Sequence, residues 1–291
     1  MQDSPRRYRG RFAPSPSGPL HFGSLIAAVG SYLDARCCSG QWLLRMEDLD
    51  PPRELPGAAD AILRTLDAFG LHWDETVMYQ SKRRQAYQAA LEQLLQDRLA
   101  FPCACSRREA GPVYPGTCRD GIRAGRDPRS IRLRIAETAL SFNDRLHGDI
   151  TQSLHSLTGD FVIRRADGLF AYHLACVVDD AAQGITDIVR GADLLDATSN
   201  QIWLQYNLNQ PMPRYLHLPL AVNAQGEKLS KKTRAPALDP AHATEHLVAA
   251  LVFLGQQTEP SMLEARPEEI LAHAARRWDP TGIPATKKIL T

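Results

Sequence analysis

The chain has 291 residues, 44% of them hydrophobic and 23% charged, and a formal net charge of +1. That length buries one large core or two smaller ones, and the near-neutral balance excludes nucleic-acid binding by bulk charge, so any such contact must come from local patches. No apolar run approaches the ~20 residues of a membrane span, and the opening MQDSPRRYRG has no apolar stretch behind its charges, so a cytoplasmic chain with no membrane partner is expected.

In chain order, a short apolar strand is expected just before RFAPSPSGPLHFGSLIAAVG, residues 11–30. Proline and glycine punctuate this loop, and a helical pattern then runs through Leu20, Leu25, Ala28, Val29, Tyr32 and Leu33. A turn-rich lead-in that ends at a helix start presents backbone N–H groups to something anionic. The segment GQWLLRMEDLD reads as a strand, Trp42 to Met46, emptying into Glu47, Asp48 and Asp50. Ile62, Leu63, Leu66 and Phe69 have helical spacing with Gly70 as terminator, and Ser81 reads as the N-cap of a helix striped by Tyr87, Leu91, Leu94 and Leu95. Strand, helix, strand, helix predicts an α/β domain with a largely parallel sheet. From Phe101 to about Ser130 the rhythm breaks, as in an insertion. SIRLRI then reads as a strand, GDFVIRRADGLFAYHLACVVDD as strand, Asp-Gly turn and apolar run, DLLDATSNQIWLQYNLN as a helix, and the tail from Ala241 as mostly helical.

The stretch CACSRREAGPVYPGTC carries Cys103, Cys105 and Cys118. Thiolates on a short knuckle, with a third returning from a Gly/Pro-bearing loop, suit tetrahedral Zn²⁺ in a structural role. No histidine lies nearby, which leaves Tyr114, Asp120 or water for the fourth position; the alternative is three buried reduced cysteines without metal. Six cysteines in all are too few for a disulfide scaffold.

The run GEKLSKK, Gly226 to Lys232, offers flexible cations beside a serine, a set that can hold a polyphosphate. Together with HFGS, residues 21–24, it resembles the paired nucleotide signatures of class I aminoacyl-tRNA synthetases. RFAPSPSGPLHFGSL, RMEDLD, DGLFAYHLACVVDDAAQGITDIVRGADLL and LSKK are similar to the catalytic half of glutamyl-tRNA synthetases, over residues 9 to about 235. The resemblance implies a Rossmann-like catalytic domain: residues 1–100 its first half, 101–130 a zinc-binding insertion, 131–235 the remainder with an acceptor-type insertion and the KLSKK loop. A short helical region, 236–291, follows. Only 59 residues come after Lys232, too few for the family's anticodon-binding domain. Truncation with a Cys-x-Cys…Tyr-x₃-Cys insertion resembles the branch that activates L-glutamate with ATP, without tRNA, and esterifies it onto queuosine in the anticodon loop of tRNA(Asp). In that branch Tyr114 is the implied fourth ligand of one structural zinc, Mg²⁺ accompanies ATP, and a monomer is expected.

By the same resemblance, Arg11, Phe12, Ala13, Pro14 and Ser15, with Arg11 foremost, and Arg190 receive the glutamate carboxylates. Glu47 takes the ammonium and the Tyr172 hydroxyl completes the pocket. His21, Gly23, Ser24, Asp193, Lys228, Ser230 and Lys231 are implied for ATP, His21 and Lys231 as the catalytic pair. Three positions depart from the family: Ser24 replaces a signature histidine, Lys232 a final serine, and Cys176 an asparagine near the substrate α-carboxylate. The arginines from Arg119 to Arg134 form the one dense basic run and are candidates for RNA phosphates, or a solvated loop partly paired with Asp120 and Asp127. Competing readings are a truncated glutamyl-tRNA synthetase charging a 3′ end, an inactive tRNA-binding paralogue, and an unrelated nucleotidyltransferase.

Overall fold

The computed structural model describes residues 7–137, 139–229 and 235–291. Strand β1 (Arg9–Phe12) is short because the proline-rich loop follows at once, and prolines donate no ladder hydrogen bonds. Helix α1 (Phe22–Cys37) buries Leu25, Ile26, Ala28, Val29 and Leu33 and leads to β2 (Gln41–Met46), which pairs parallel to β1. Trp42 of β2 anchors this unit, its ring stacked on Phe12 and its Nε1–H donating to the Ser31 hydroxyl at 2.9 Å. Helix α2 (Ala58–Ala68) crosses to β3 (Asp74–Tyr79), parallel to β2, and α3 (Arg84–Gln96) follows.

The middle of the chain holds β4 (Ala100–Cys103), α4 (Arg107–Ala110), β5 (Ser130–Leu133), β6 (Ala139–Asp144), β7 (Gly148–Ser153), α5 (Leu154–Leu157) and β8 (Val162–Arg164). Strands β4, β5 and β8 form a small antiparallel sheet over the cysteine loop. Helix α6 (Tyr172–Ala182), β9 (Asp187–Gly191), α7 (Leu195–Asn207) and β10 (Arg214–Leu218) return to the parallel layer. The chain ends with β11 (Leu220–Val222), α8 (Ala243–Phe253), α9 (Pro267–Arg276) and β12 (Lys288–Leu290).

Strand β10 lies between β9 and β6, parallel to both, and β7 closes the edge antiparallel to β6. Just ahead of β9, the Thr186 N–H donates to the Arg9 carbonyl at 2.9 Å and the Arg9 N–H to the Thr186 hydroxyl at 2.9 Å, so β9 enters beside β1. The strand order is therefore β3-β2-β1 followed by β9-β10-β6-β7. Chain direction across the layer reverses between β1 and β9, and in open α/β sheets such a switch point opens a crevice at the carboxyl ends of the two strands.

Several local expectations change. Ser81 is not an N-cap: it sits in a 3₁₀ turn, Gln80–Arg83, and both its N–H and hydroxyl donate to Asp48, at 2.9 and 2.6 Å. The half-exposed edge strand β3 and the β6–β7 hairpin carry too little apolar alternation to be seen in sequence. The apolar run after the Asp-Gly turn, given no element type by its sequence, is helix α6. The tail is mostly helical, but its last strand, β12, pairs with β11.

One buried acid ties distant parts together. Asp34 of α1 accepts from the Tyr8 hydroxyl at 2.5 Å, from Arg145 at 2.6 and 2.8 Å, and from Trp278 Nε1–H at 2.9 Å. Asp34→Asn is expected to lower stability by about 2–4 kcal/mol, because it removes the one carboxylate at hydrogen-bond distance from Arg145 and leaves only Asp187, 3.9 Å away. Denaturant unfolding followed by tryptophan fluorescence measures this; an unchanged midpoint would contradict it.

Candidate active site

At the β1/β9 switch point lies a cavity of about 540 Å³. Its floor is the end of β1 and the loop behind it, Arg11 to Ser15; Glu47 enters from the end of β2, Tyr172 from the start of α6, and Arg190 and Gly191 from β9. The rim adds His21, Gly23 and Ser24 from the start of α1, Asp193, and Lys228. The structure thus brings together every expected pocket residue that lies in the described part of the chain. Ser230, Lys231 and Lys232 lie outside the described residues.

The loop is pinned to β2 because the Glu47 N–H donates to the Pro14 carbonyl at 3.0 Å. Gly18 in this loop has φ of 140°, a backbone that only glycine adopts easily. At the helix start His21 is the N-cap: its ring accepts from the Ser24 N–H at 3.3 Å, while the His21 N–H donates to the Ser24 hydroxyl at 2.7 Å. Ser24, the residue that departs from the family signature, therefore completes a reciprocal cap. A side chain at Gly23 would stand 3.1 Å from the Leu229 carbonyl and 3.2 Å from the His21 ring, so glycine lets the Leu229 backbone approach the helix start.

Behind the cavity floor sits a buried ionic group. Asp180 Oδ1 accepts from Arg11 Nε at 3.0 Å and from Arg45 at 2.7 Å; Arg45 also donates to Gln183 at 3.0 Å and reaches Glu47 at 3.4 Å. Burial alone would raise the Asp180 pKa, but the two guanidinium groups outweigh it and hold the carboxyl well below the usual range. Burial pushes Glu47 upward, against the pull of Arg45 and Arg11. Cys176 is fully buried, points its thiol at Asp180 at 3.4 Å, and does not line the cavity. Arg190 pairs with neither Asp187 nor Asp193. Asp187 holds Arg214 at 2.8 Å, Asp193 holds Lys228 at 2.5 Å, and Arg190 donates to His217 at 3.1 Å and to Thr198 at 2.8 Å. Its Nη1 is buried with no hydrogen-bond partner. Arg45, Asp180, His217 and Thr198 had no place in the sequence reading of the site. The usable signal was a charge inside an apolar strand, Arg45, and a second inside an apolar helix, Asp180.

The second cluster is separate. The thiols of Cys103, Cys105 and Cys118 lie within 4.8 Å of one another, all buried. The Tyr114 hydroxyl is 3.4 Å from Cys103 and 3.9 Å from Cys105, and Cys105 is 3.6 Å from Cys118. Sulfurs about 2.3 Å from a tetrahedral zinc stand about 3.8 Å apart, so this donor set fits a metal. Asp120 is exposed, whereas Tyr114 belongs to the cluster. Burial opposes ionisation of Cys103, yet hydrogen bonds from Tyr114, the Cys105 backbone and Arg132 bring it down to about 7. The arginine run is largely engaged, but not by Asp120 and Asp127. Arg119 donates to Asp160 at 2.9 and 2.7 Å, Arg126 to Glu109 at 3.0 Å, and Arg132 to the Cys103 sulfur at 3.3 Å while lying over the Tyr114 ring.

A doubly wound sheet with a cation-lined crevice at its switch point, a capped helix start on the rim and a cysteine insertion defines a class I aminoacyl-tRNA synthetase catalytic fold. Residues 7–110 and 117–253 match the family described as tRNA synthetases class I (E and Q), catalytic domain, and the chain belongs to it. A glutamyl-Q tRNA(Asp) synthetase from Dechloromonas aromatica is 55% identical over 97% of this chain and 98% of that protein. Another from Pseudomonas aeruginosa is 54% identical over 95% of each. The crystal structure of the glutamate-tRNA synthetase from Elizabethkingia anophelis superposes with a TM-score of 0.80 over 98% of this chain and 68% of that one; at 24% identity it speaks for the fold. Among the described residues no helix is long and apolar enough to cross a membrane.

Asp180→Asn removes the acid between two buried arginines and is expected to cost about 3–5 kcal/mol at pH 7. Because the folded-state pKa is depressed, this stabilisation is complete above the unfolded value of about 3.9 and lost as pH falls through the folded one. The stability gap between wild type and variant should therefore narrow below about pH 4 in denaturant unfolding. A gap that stays constant from pH 7 into the acid range would contradict the assignment.

Proposed function

We propose that this chain activates L-glutamate with ATP in the absence of tRNA and transfers it to the queuosine base in the anticodon loop of tRNA(Asp), as a cytoplasmic, monomeric ligase. The observation that carries this reading is that one cavity joins buried arginines and Glu47 to a helix start, with Lys228 on its rim. The near full-length identity to proteins named for that reaction supports the acceptor.

In this reading Arg11 and Arg190 receive the substrate carboxylates, with Phe12 to Ser15 forming the floor. The unpartnered Nη1 of Arg190 suits a carboxylate oxygen, which an uncharged amide matches poorly. Glu47 accepts from the ammonium, and the Tyr172 hydroxyl closes the pocket. His21, Gly23 and Ser24 bring the α1 N-terminus to the ATP phosphates, Asp193 faces the ribose, and Lys228, Ser230 and Lys231 meet the polyphosphate. An α-carboxylate oxygen attacks the α-phosphorus as its bond to the β-bridging oxygen breaks, giving glutamyl-adenylate and pyrophosphate. Substrate supplies the nucleophile, so the protein contributes positioning and charge stabilisation. Mg²⁺, held mainly by the ATP phosphates, adds charge neutralisation. A hydroxyl of the queuosine cyclopentenediol then attacks the activated carbonyl carbon, loses its proton, and AMP leaves. Cys103, Cys105, Tyr114 and Cys118 hold one structural zinc that keeps the insertion folded. The division of the chain at residues 100, 130 and 235 belongs to the same proposal.

Pyrophosphate exchange without tRNA should favour glutamate over glutamine by roughly 30- to 1000-fold, the equivalent of ~2–4 kcal/mol for a mismatched charged contact. Equal rates would overturn the substrate assignment. Labelled glutamate should be recovered in the anticodon nuclease fragment of queuosine-containing tRNA(Asp); recovery in the 3′-terminal fragment would make this a truncated glutamyl-tRNA synthetase instead. Metal analysis of chelator-free protein should find about one zinc per chain, reduced in Tyr114→Phe. Zinc-free protein would refute the site, and full affinity in the variant would remove Tyr114 from it.

A further inference from the structure

Arg190 differs from the two other buried arginines behind the cavity in what holds it. Asp180 touches Arg11 and Arg45, whereas the partners of Arg190 are neutral: Nε donates to His217 Nε2 at 3.1 Å and Nη2 to the Thr198 hydroxyl at 2.8 Å. The Thr198 hydroxyl in turn donates to the Leu194 carbonyl at 2.9 Å. The acid of this group stands one imidazole further back. Asp144 Oδ2 lies 2.7 Å from His217 Nδ1, and Asp144 Oδ1 accepts the Leu146 and His147 N–H groups, each at 3.0 Å. Asp144 and His217 are buried and neither lines the cavity.

His217 Nε2 has two neighbours, Arg190 Nε at 3.1 Å and the Thr198 hydroxyl at 3.0 Å; a guanidinium only donates, so Nε2 accepts from Arg190 and the ring proton sits on Nδ1, toward Asp144. Burial brings His217 down to about 4, against the pull of Asp144 and with the help of the Arg190 charge, so the ring is neutral near pH 7. The other titratable groups against it are His147, whose Nε2 is 2.9 Å from the His217 carbonyl, and Tyr215, whose ring stacks on it. A carboxylate in direct contact would satisfy Arg190 and weaken its hold on an anionic ligand. A neutral acceptor fixes the guanidinium and leaves its charge to a ligand in the cavity that Arg190 lines.

We propose that Asp144 and His217 are positioning residues for amino-acid selection: Asp144 sets the Nδ1–H tautomer, and His217 in that tautomer aims Arg190 at the substrate's side-chain carboxylate. This rests on the reading that glutamate occupies the cavity. Asp144→Asn is the sharp test. Oδ1 is already committed to three backbone N–H donors, those of Leu146 and His147 and, at 3.5 Å, of His217. The new amide nitrogen must therefore face His217 Nδ1, turn that nitrogen into an acceptor, and move the ring proton to Nε2, where it turns toward the Thr198 hydroxyl 3.0 Å away and opposes the Arg190 Nε–H.

In tRNA-independent pyrophosphate exchange, Asp144→Asn should raise KM for glutamate about 10- to 100-fold and narrow the glutamate-over-glutamine preference by a similar factor, with kcat changed less than about threefold. His217→Gln, whose side-chain carbonyl can still accept from Arg190, should recover most of the affinity. Nitrogen-15 NMR of the wild-type imidazole at pH 7 should show the Nδ1–H tautomer. A folded Asp144→Asn with unchanged KM and preference would overturn the proposal. If that variant does not fold, an Nε2–H or doubly protonated ring in the wild type overturns it. Wild type without glutamate-dependent exchange, but with the Nδ1–H tautomer, would instead sink the substrate reading beneath it.

Discussion

The Asp180 carboxylate, buried between Arg11 and Arg45, is the contact on which the cavity depends. Three charged groups this deep are costly to desolvate, and they are tolerated because each opposes another at hydrogen-bond distance. The consequence is geometric. Arg11 lies in β1, Arg45 in β2 and Asp180 in α6, so one carboxylate fixes two parallel strands and a helix at the point where the cavity opens. Glu47, two residues beyond Arg45, is drawn into the same group.

The topology explains why this group sits where it does. β1 and β9 are far apart in sequence and adjacent in space, and the chain leaves them in opposite directions across the sheet, opening a crevice at their carboxyl ends. The two arginine environments then divide the work. Arg11 is held through its Nε by a direct acid while it lines the floor, and Arg190 is steadied by an imidazole and a hydroxyl with no acid against it. The cysteine cluster lies outside this economy. Its three thiols and Tyr114 bind together a loop that β4 and β5 bracket, in a region with few apolar residues to hold it otherwise.

Much of this was legible in the sequence, and for definite reasons. Long amphipathic or apolar elements such as α1, β2 and α2 follow from their spacing, and the proline-rich loop announces itself. The pocket residues came from resemblance, because no local pattern relates Arg11 to Arg190 across the sheet. What sequence could not supply was pairing. Nothing local tells Arg190 from Arg45, yet one faces His217 and the other Asp180. The arginine run looked like a basic surface, but Arg119 and Arg132 are taken up by Asp160, the Cys103 sulfur and the Tyr114 ring. Strand β3 and the β6–β7 hairpin were silent because partly exposed strands carry weak alternation.

The central claim is that Arg11, fixed by Asp180, and Arg190, held by neutral partners, receive glutamate on one preformed floor. A crystal structure with a non-hydrolysable glutamyl-adenylate analogue tests it most directly. The account predicts the side-chain carboxylate on Arg190 Nη1, the ammonium at Glu47, the phosphate at the start of α1, and the Arg11–Asp180–Arg45 contacts unchanged. A glutamyl group seated away from Arg190, or an Asp180 that releases Arg11 to reach it, would contradict the account.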